Sequence, residues 1–227
     1  MQVEILYRPS FSMAQITLAP SEEIRVEAGS MVSMSPGLSI DTRVQGGLLK
    51  SLARSMLGGE SFFMNTYQAP ANGGMIGVAP ALPGDLFTLE LANDSLLVQS
   101  GSFVASSMGI NIDTKWGGAK TFFASEGLIL LHATGSGMLL LSSYGAIHEI
   151  TLGVGEQITV DTGHLVAYDE GTGFNVRSVG GIKSTLFSGE GLVVDLTGPG
   201  RVLTQTRSQD AFLAWLIPRL PHDSNSS

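Results

Sequence analysis

Between residues 23 and 27 the chain alternates: Ile24 and Val26 fall on one side, and Glu23, Arg25 and Glu27 on the other. A period of two residues with one apolar face predicts a half-buried strand. The strand runs into the phrase VEAGSMVSM at 26–34, which returns as VQSGSFVAS at 98–106 and as VDTGHLVAY at 160–168. With Gly29, Gly101 and Gly163 as anchors, Val26, Val98 and Val160 stand three positions upstream, and Ile24, Leu96 and Ile158 stand five. Seven upstream, all three residues are acidic: Glu22, Asp94 and Glu156. ITL occurs at 16–18 and again at 150–152.

The register continues downstream. Asp41, Asp113 and Asn175 stand twelve residues on, and Gly46, Gly118 and Gly180 seventeen. Further on come GGESFF at 58–63, ASEGLI at 124–129 and SGEGLV at 188–193, then the apolar stretches GGMIGVA, GSGMLLL and GPGRVLT. Internal repetition of this kind sets the architecture before any other feature does. It predicts one domain over 1–227 made of three repeats, about 14–80, 86–142 and 147–206. A sixty-residue unit has too little core to be stable alone, and three packed about a pseudo-threefold axis would share one. The anchor glycines are expected at bulges or bends where a Cβ is not tolerated. LILL and MLLL, on either side of TGSG at 134–137, read as a hairpin.

Two segments depart from this pattern. In GLLKSLARSMLGG at 47–59, apolar residues at 48, 49, 52, 53, 56 and 57 make a helical stripe, with Lys50 and Arg54 opposite, and predict an inserted helix over 47–57. SQDAFLAWLIPRLP at 208–221 predicts a C-terminal helix within 207–218, with Ser208 as its cap, Asp210 in its first turn and Pro218 at its end. It is apolar nearly all round, which suggests burial on both sides. Residues 222–227, HDSNSS, read as a disordered tail.

Composition adds boundaries. Hydrophobic residues make up 43% and charged residues 14%, as in a packed β-rich body. The net charge of −8 and the scattered basic residues argue against nucleic-acid binding. The absence of cysteine removes disulfides, thiolate metal sites and thiol nucleophiles. MQVEILYRPS has neither the basic nor the apolar region of a signal peptide, so the expected location is cytoplasmic. With only Lys50 and Arg54 on its polar side, the inserted helix offers little attraction to a membrane surface.

Together, EAGSMVSMSPGLSIDT, GGLLKSLARSMLGGESFFMNTY and the later TQTRS resemble the altered-inheritance-of-mitochondria protein family across the whole chain. The resemblance implies an all-β fold of three β-sandwich repeats. These are similar to the subunit of the tryptophan RNA-binding attenuation protein, within the double-stranded β-helix class. It implies no established activity. A yeast member is mitochondrial and associated with inner-membrane organisation, which hints at scaffolding.

Reactive chemistry is sparse. His132, His148, His164 and His222 are never closer than sixteen residues, so the paired imidazoles of a cupin metal site do not arise. Neither a GxSxG elbow nor a GxxxxGK[ST] loop occurs. Glu60, Glu126 and Glu190, one per repeat, would make a hard-cation site if the axis gathered them. The plainer reading is that each fixes its own turn. No catalytic residue and no cofactor is expected. The reading is a non-enzymatic scaffold or interaction protein that self-associates or docks a protein partner through the helices at 47–57 and 207–218. The competing reading is a small-ligand or metal-binding protein using a cavity or the axis among the repeats.

Overall fold

The alternation at 23–27 places Ile24 and Val26 fully in the core and leaves the three charged residues half-exposed. This was observed in a computed structural model that describes residues 1–41, 63–113, 130–178 and 192–221. The architecture is mostly β, with several sheets and one short α-helix among the described residues. The first strands are β1 (Gln2–Leu6), β2 (Met13–Leu18), β3 (Glu23–Glu27), β4 (Met31–Met34), β5 (Ser39–Asp41), β6 (Met64–Gln68) and β7 (Gly74–Val78). Next come β8 (Leu86–Gln99), β9 (Phe103–Ser107), β10 (Ile110–Asp113) and β11 (Leu130–Ser142). The last are β12 (Ile147–Leu152), β13 (Gln157–Asp161), β14 (Leu165–Asp169), β15 (Gly173–Ser178), β16 (Leu192–Thr197) and β17 (Gly200–Gln205).

All these strands pair antiparallel. β7 lies between β2 and β4, β11 between β8 and β9, and β17 between β12 and β14. Likewise β6 lies between β3 and β5, β11 between β8 and β10, and β16 between β13 and β15. The long strands β8 and β11 thus serve twice, where the other sets use two strands each. Two further pairings join the sets: β3 with β9, and β8 with β14. The buried side chains form three clusters, centred on Ile16 and Ile76, on Phe103 and Leu139, and on Tyr168 and Val194.

The hairpin expectation is corrected, and of the two alternatives for the anchor glycines the bend is met and the bulge is not: Gly29, Gly101 and Gly163 all sit in turns. β11 runs straight through TGSG, so no hairpin forms there. Gly135 (φ +115°) and Gly137 (φ +136°) take up a bulge in place of a reversal, and the Gly109 carbonyl fills the space where a Cβ of Gly135 would sit. The bulges near the anchor glycines fall three residues later, where the ladder skips Val32, Val104 and Val166. The anchors themselves differ. Gly29 has a left-handed φ of +96°, whereas Gly101 and Gly163 sit in 3-10 turns without one, and a Cβ on Gly163 would lie 2.6 Å from Ser208 Oγ. The inserted helix at 47–57, Gly46, Gly118, Gly180 and the tail at 222–227 lie outside the described residues.

The acidic positions have a local role in two of the three cases. Glu22 accepts a hydrogen bond from the Ala19 amide and Glu156 from the Gly153 amide, each at 2.7 Å, closing the turns after β2 and β12. Asp94 stays within the unbroken β8, opposite Gly135.

Candidate interaction surface

A run of exposed apolar residues follows β17. Ser208 Oγ accepts from the Ala211 amide and starts α1 (Gln209–Leu216), the one α-helix among the described residues, with Asp210 in its first turn. A 3-10 turn containing Pro218 ends it. None of its residues is buried, so burial on both sides, expected from its composition, is corrected. Phe212 meets Tyr144 edge-on with ring centroids 6.2 Å apart, and the Arg207 amide donates to the Tyr144 carbonyl. Beyond that, Trp215, Ile217 and Leu220 are about half-exposed. Arg219 covers part of the Trp215 ring with its guanidinium and donates to the Trp215 carbonyl, which holds the helix end in shape. Clustered exposed apolar residues are less common than isolated ones, which makes this stretch a candidate interaction surface.

A second exposed apolar region is β4, where Met31, Val32 and Met34 all face solvent. Sequence reasoning missed it, because VEAGSMVSM reads like its two counterparts, whose strands β9 and β14 are buried. No local signal separates the three phrases: β4 pairs only with β7 among the described residues, while β9 and β14 each have a strand on both sides.

A concave face of about 610 Å³ lies over β13, β15 and β16. Its polar groups satisfy one another. Arg177 donates twice to Asp195, at 2.6 and 3.1 Å, Thr159 donates to the same carboxylate at 2.7 Å, and Gln157 to Thr197. Arg177, and after it Thr159, holds the Asp195 carboxyl below the ordinary aspartate value. Such a cross-strand ladder needs no ligand to complete it.

The other sequence candidates separate. Glu60, Glu126, Glu190 and His222 lie outside the described residues. His132 Nε2 is 3.2 Å from a Glu170 carboxylate oxygen, His164 Nδ1 is 2.7 Å from the Gln205 carbonyl, and His148 is exposed on β12. Among the described residues no three metal-ligating side chains come together, and no helix is long and apolar enough to cross a membrane.

An uncharacterised protein from Streptococcus pyogenes is 29% identical over 224 residues, which cover 95% of this chain and 89% of that protein. The altered inheritance of mitochondria protein 24 of Verticillium alfalfae is 26% identical over 73% of this chain, which spans 43% of that longer protein. A crystal structure from Streptococcus pyogenes matches with a TM-score of 0.78 and 27% identity, covering 96% of this chain and 99% of its own. The family model described as mitochondrial biogenesis AIM24 matches residues 3–207, and the chain belongs to that family.

Proposed function

We propose that this protein is a non-enzymatic scaffold or interaction protein, assembled from three copies of one six-strand unit, that associates with further copies of itself. The observation that carries the reading is α1, a helix with no buried residue whose surroundings leave Phe212, Leu213, Trp215, Ile217 and Leu220 open. Water-exposed aromatic side chains of this size are the usual anchors of protein contacts. The common unit is supported by the shared pairing order and by the equal offsets of Val32, Val104 and Val166 from their glycines.

The polar face over β13, β15 and β16 favours a small-ligand role less, because its charged and hydroxyl groups already bond to each other. Light scattering on the intact chain beside a version ended at Thr206 tests the reading. The intact chain is expected at a multiple of 23.8 kDa and the shortened one at a lower multiple with its circular dichroism retained. Equal masses with intact folding would remove α1 from the assembly.

A further inference from the structure

The two pairings that join the strand sets share one register. In the first, Ile24, Arg25 and Val26 of β3 face Ser107, Ser106 and Ala105 of β9. In the second, Leu96, Leu97 and Val98 of β8 face Asp169, Tyr168 and Ala167 of β14. Counted from the glycines, positions five, four and three before one anchor meet positions six, five and four after the next. The same rule leaves one donor edge and one acceptor edge over. Ile158, Thr159 and Val160 of β13 would face Ser35, Met34 and Ser33 at β4.

Neither edge carries a second strand among the described residues. Among the described residues β4 pairs only with β7, at the end of a four-stranded sheet, and β13 only with β16, at the end of a three-stranded one. Burial differs accordingly. Met31 and Val32 are 37% and 57% exposed, while Phe103, Val104, Leu165 and Val166 at the corresponding positions are at most 2% exposed. On the other edge, Ile158 is half-buried where Ile24 and Leu96 are fully buried. A strand edge with no second strand against it is a template for a further strand, and Ile158, Thr159, Val160 and Ser33, Met34, Ser35 carry no charge.

We infer that β13 of one copy pairs antiparallel with β4 of the next, in the register Ile158–Ser35, Thr159–Met34 and Val160–Ser33. The occupant is a second copy of this chain, since the chain carries the matching edge and its own β13 does not cover its own β4. The contact joins two different edges, so it closes into a ring of copies or repeats as an open array. It rests on the self-association reading above but uses a surface distinct from α1.

The cysteine-free sequence makes disulfide trapping clean. Directly opposed residues in antiparallel strands lie about 4.5–5.5 Å apart, within disulfide reach. Met34→Cys and Thr159→Cys are prepared as separate proteins, and both positions are exposed. Mixed and oxidised, they are expected to give a species of twice 23.8 kDa at least about tenfold above either protein alone. The double variant is expected to give a ladder of multiples. A closed single-chain product, or no mixed species, overturns the inference. In the unsubstituted protein, amide exchange in β4 and β13 is expected to slow at least about tenfold as concentration rises, and exchange independent of concentration also overturns it. Ending the chain at Thr206 leaves both edges present, so cross-linking that survives truncation separates failure of the α1 reading from failure of this one.

Discussion

Asp85 is the most tightly held charge at the entry to β8. Its carboxylate accepts two hydrogen bonds from Arg8, at 2.9 and 2.8 Å, one from Ser12 Oγ and one from the Leu86 amide. Burial works against the charge, but these donors outweigh it and hold the carboxyl below the ordinary aspartate value. A lowered native pKa adds stability above the unfolded value of about 3.9, and that stability is lost as pH falls through the native value. Asp85→Asn should therefore cost about 2 kcal/mol in urea unfolding at pH 7 and less at pH 3. Tyr168 presents the opposite case. Its hydroxyl is buried without a hydrogen-bond partner among the described residues, and burial raises its ionisation well above the usual tyrosine value. A raised native pKa keeps stability full below about pH 10 and removes it as pH rises. Tyr168→Phe should be neutral or stabilising by about 1 kcal/mol at pH 7, and should flatten the loss of stability above pH 10.

At the scale of elements, glycines decide where strands turn and where they continue. After β6 the chain reverses through Ala71 and Asn72 into β7, whereas the TGSG stretch of β11 bends and carries on. Both stretches combine apolar residues with glycine, and composition alone does not distinguish a reversal from a bulge. The difference lies in the close approach of Gly109 to Gly135, a contact made across the sheet and so invisible in local sequence. Gly135→Ala should cost about 3 kcal/mol, from its left-handed φ combined with that contact. Gly29→Ala, with open space around it, should cost about 1 kcal/mol. Thermal unfolding of the two variants checks the order, and equal losses would contradict it. Local signals were sufficient for β3 and for the Ser208 cap, because alternation and capping depend on near neighbours. They failed for the burial of α1. A helix apolar on every side reads as enclosed, but eight residues anchored mainly through Phe212 on Tyr144 leave its outer face uncovered.

At the scale of the whole molecule, two exposed apolar stretches stand out among the described residues: α1 after β17, and β4, whose counterparts β9 and β14 are covered by a neighbouring strand. Buried cores lie on either side of β9 and β14 whereas β4 and α1 are exposed, and our proposal is that another copy continues the body there. The repeated phrase falls at β3–β4, β8–β9 and β13–β14, but no copy of it shows which edge lacks a partner among the described residues. Sedimentation equilibrium of the intact chain across micromolar concentrations tests that claim most directly. The account predicts a mass that rises with concentration to multiples of 23.8 kDa, and a single 23.8 kDa species at every concentration would contradict it.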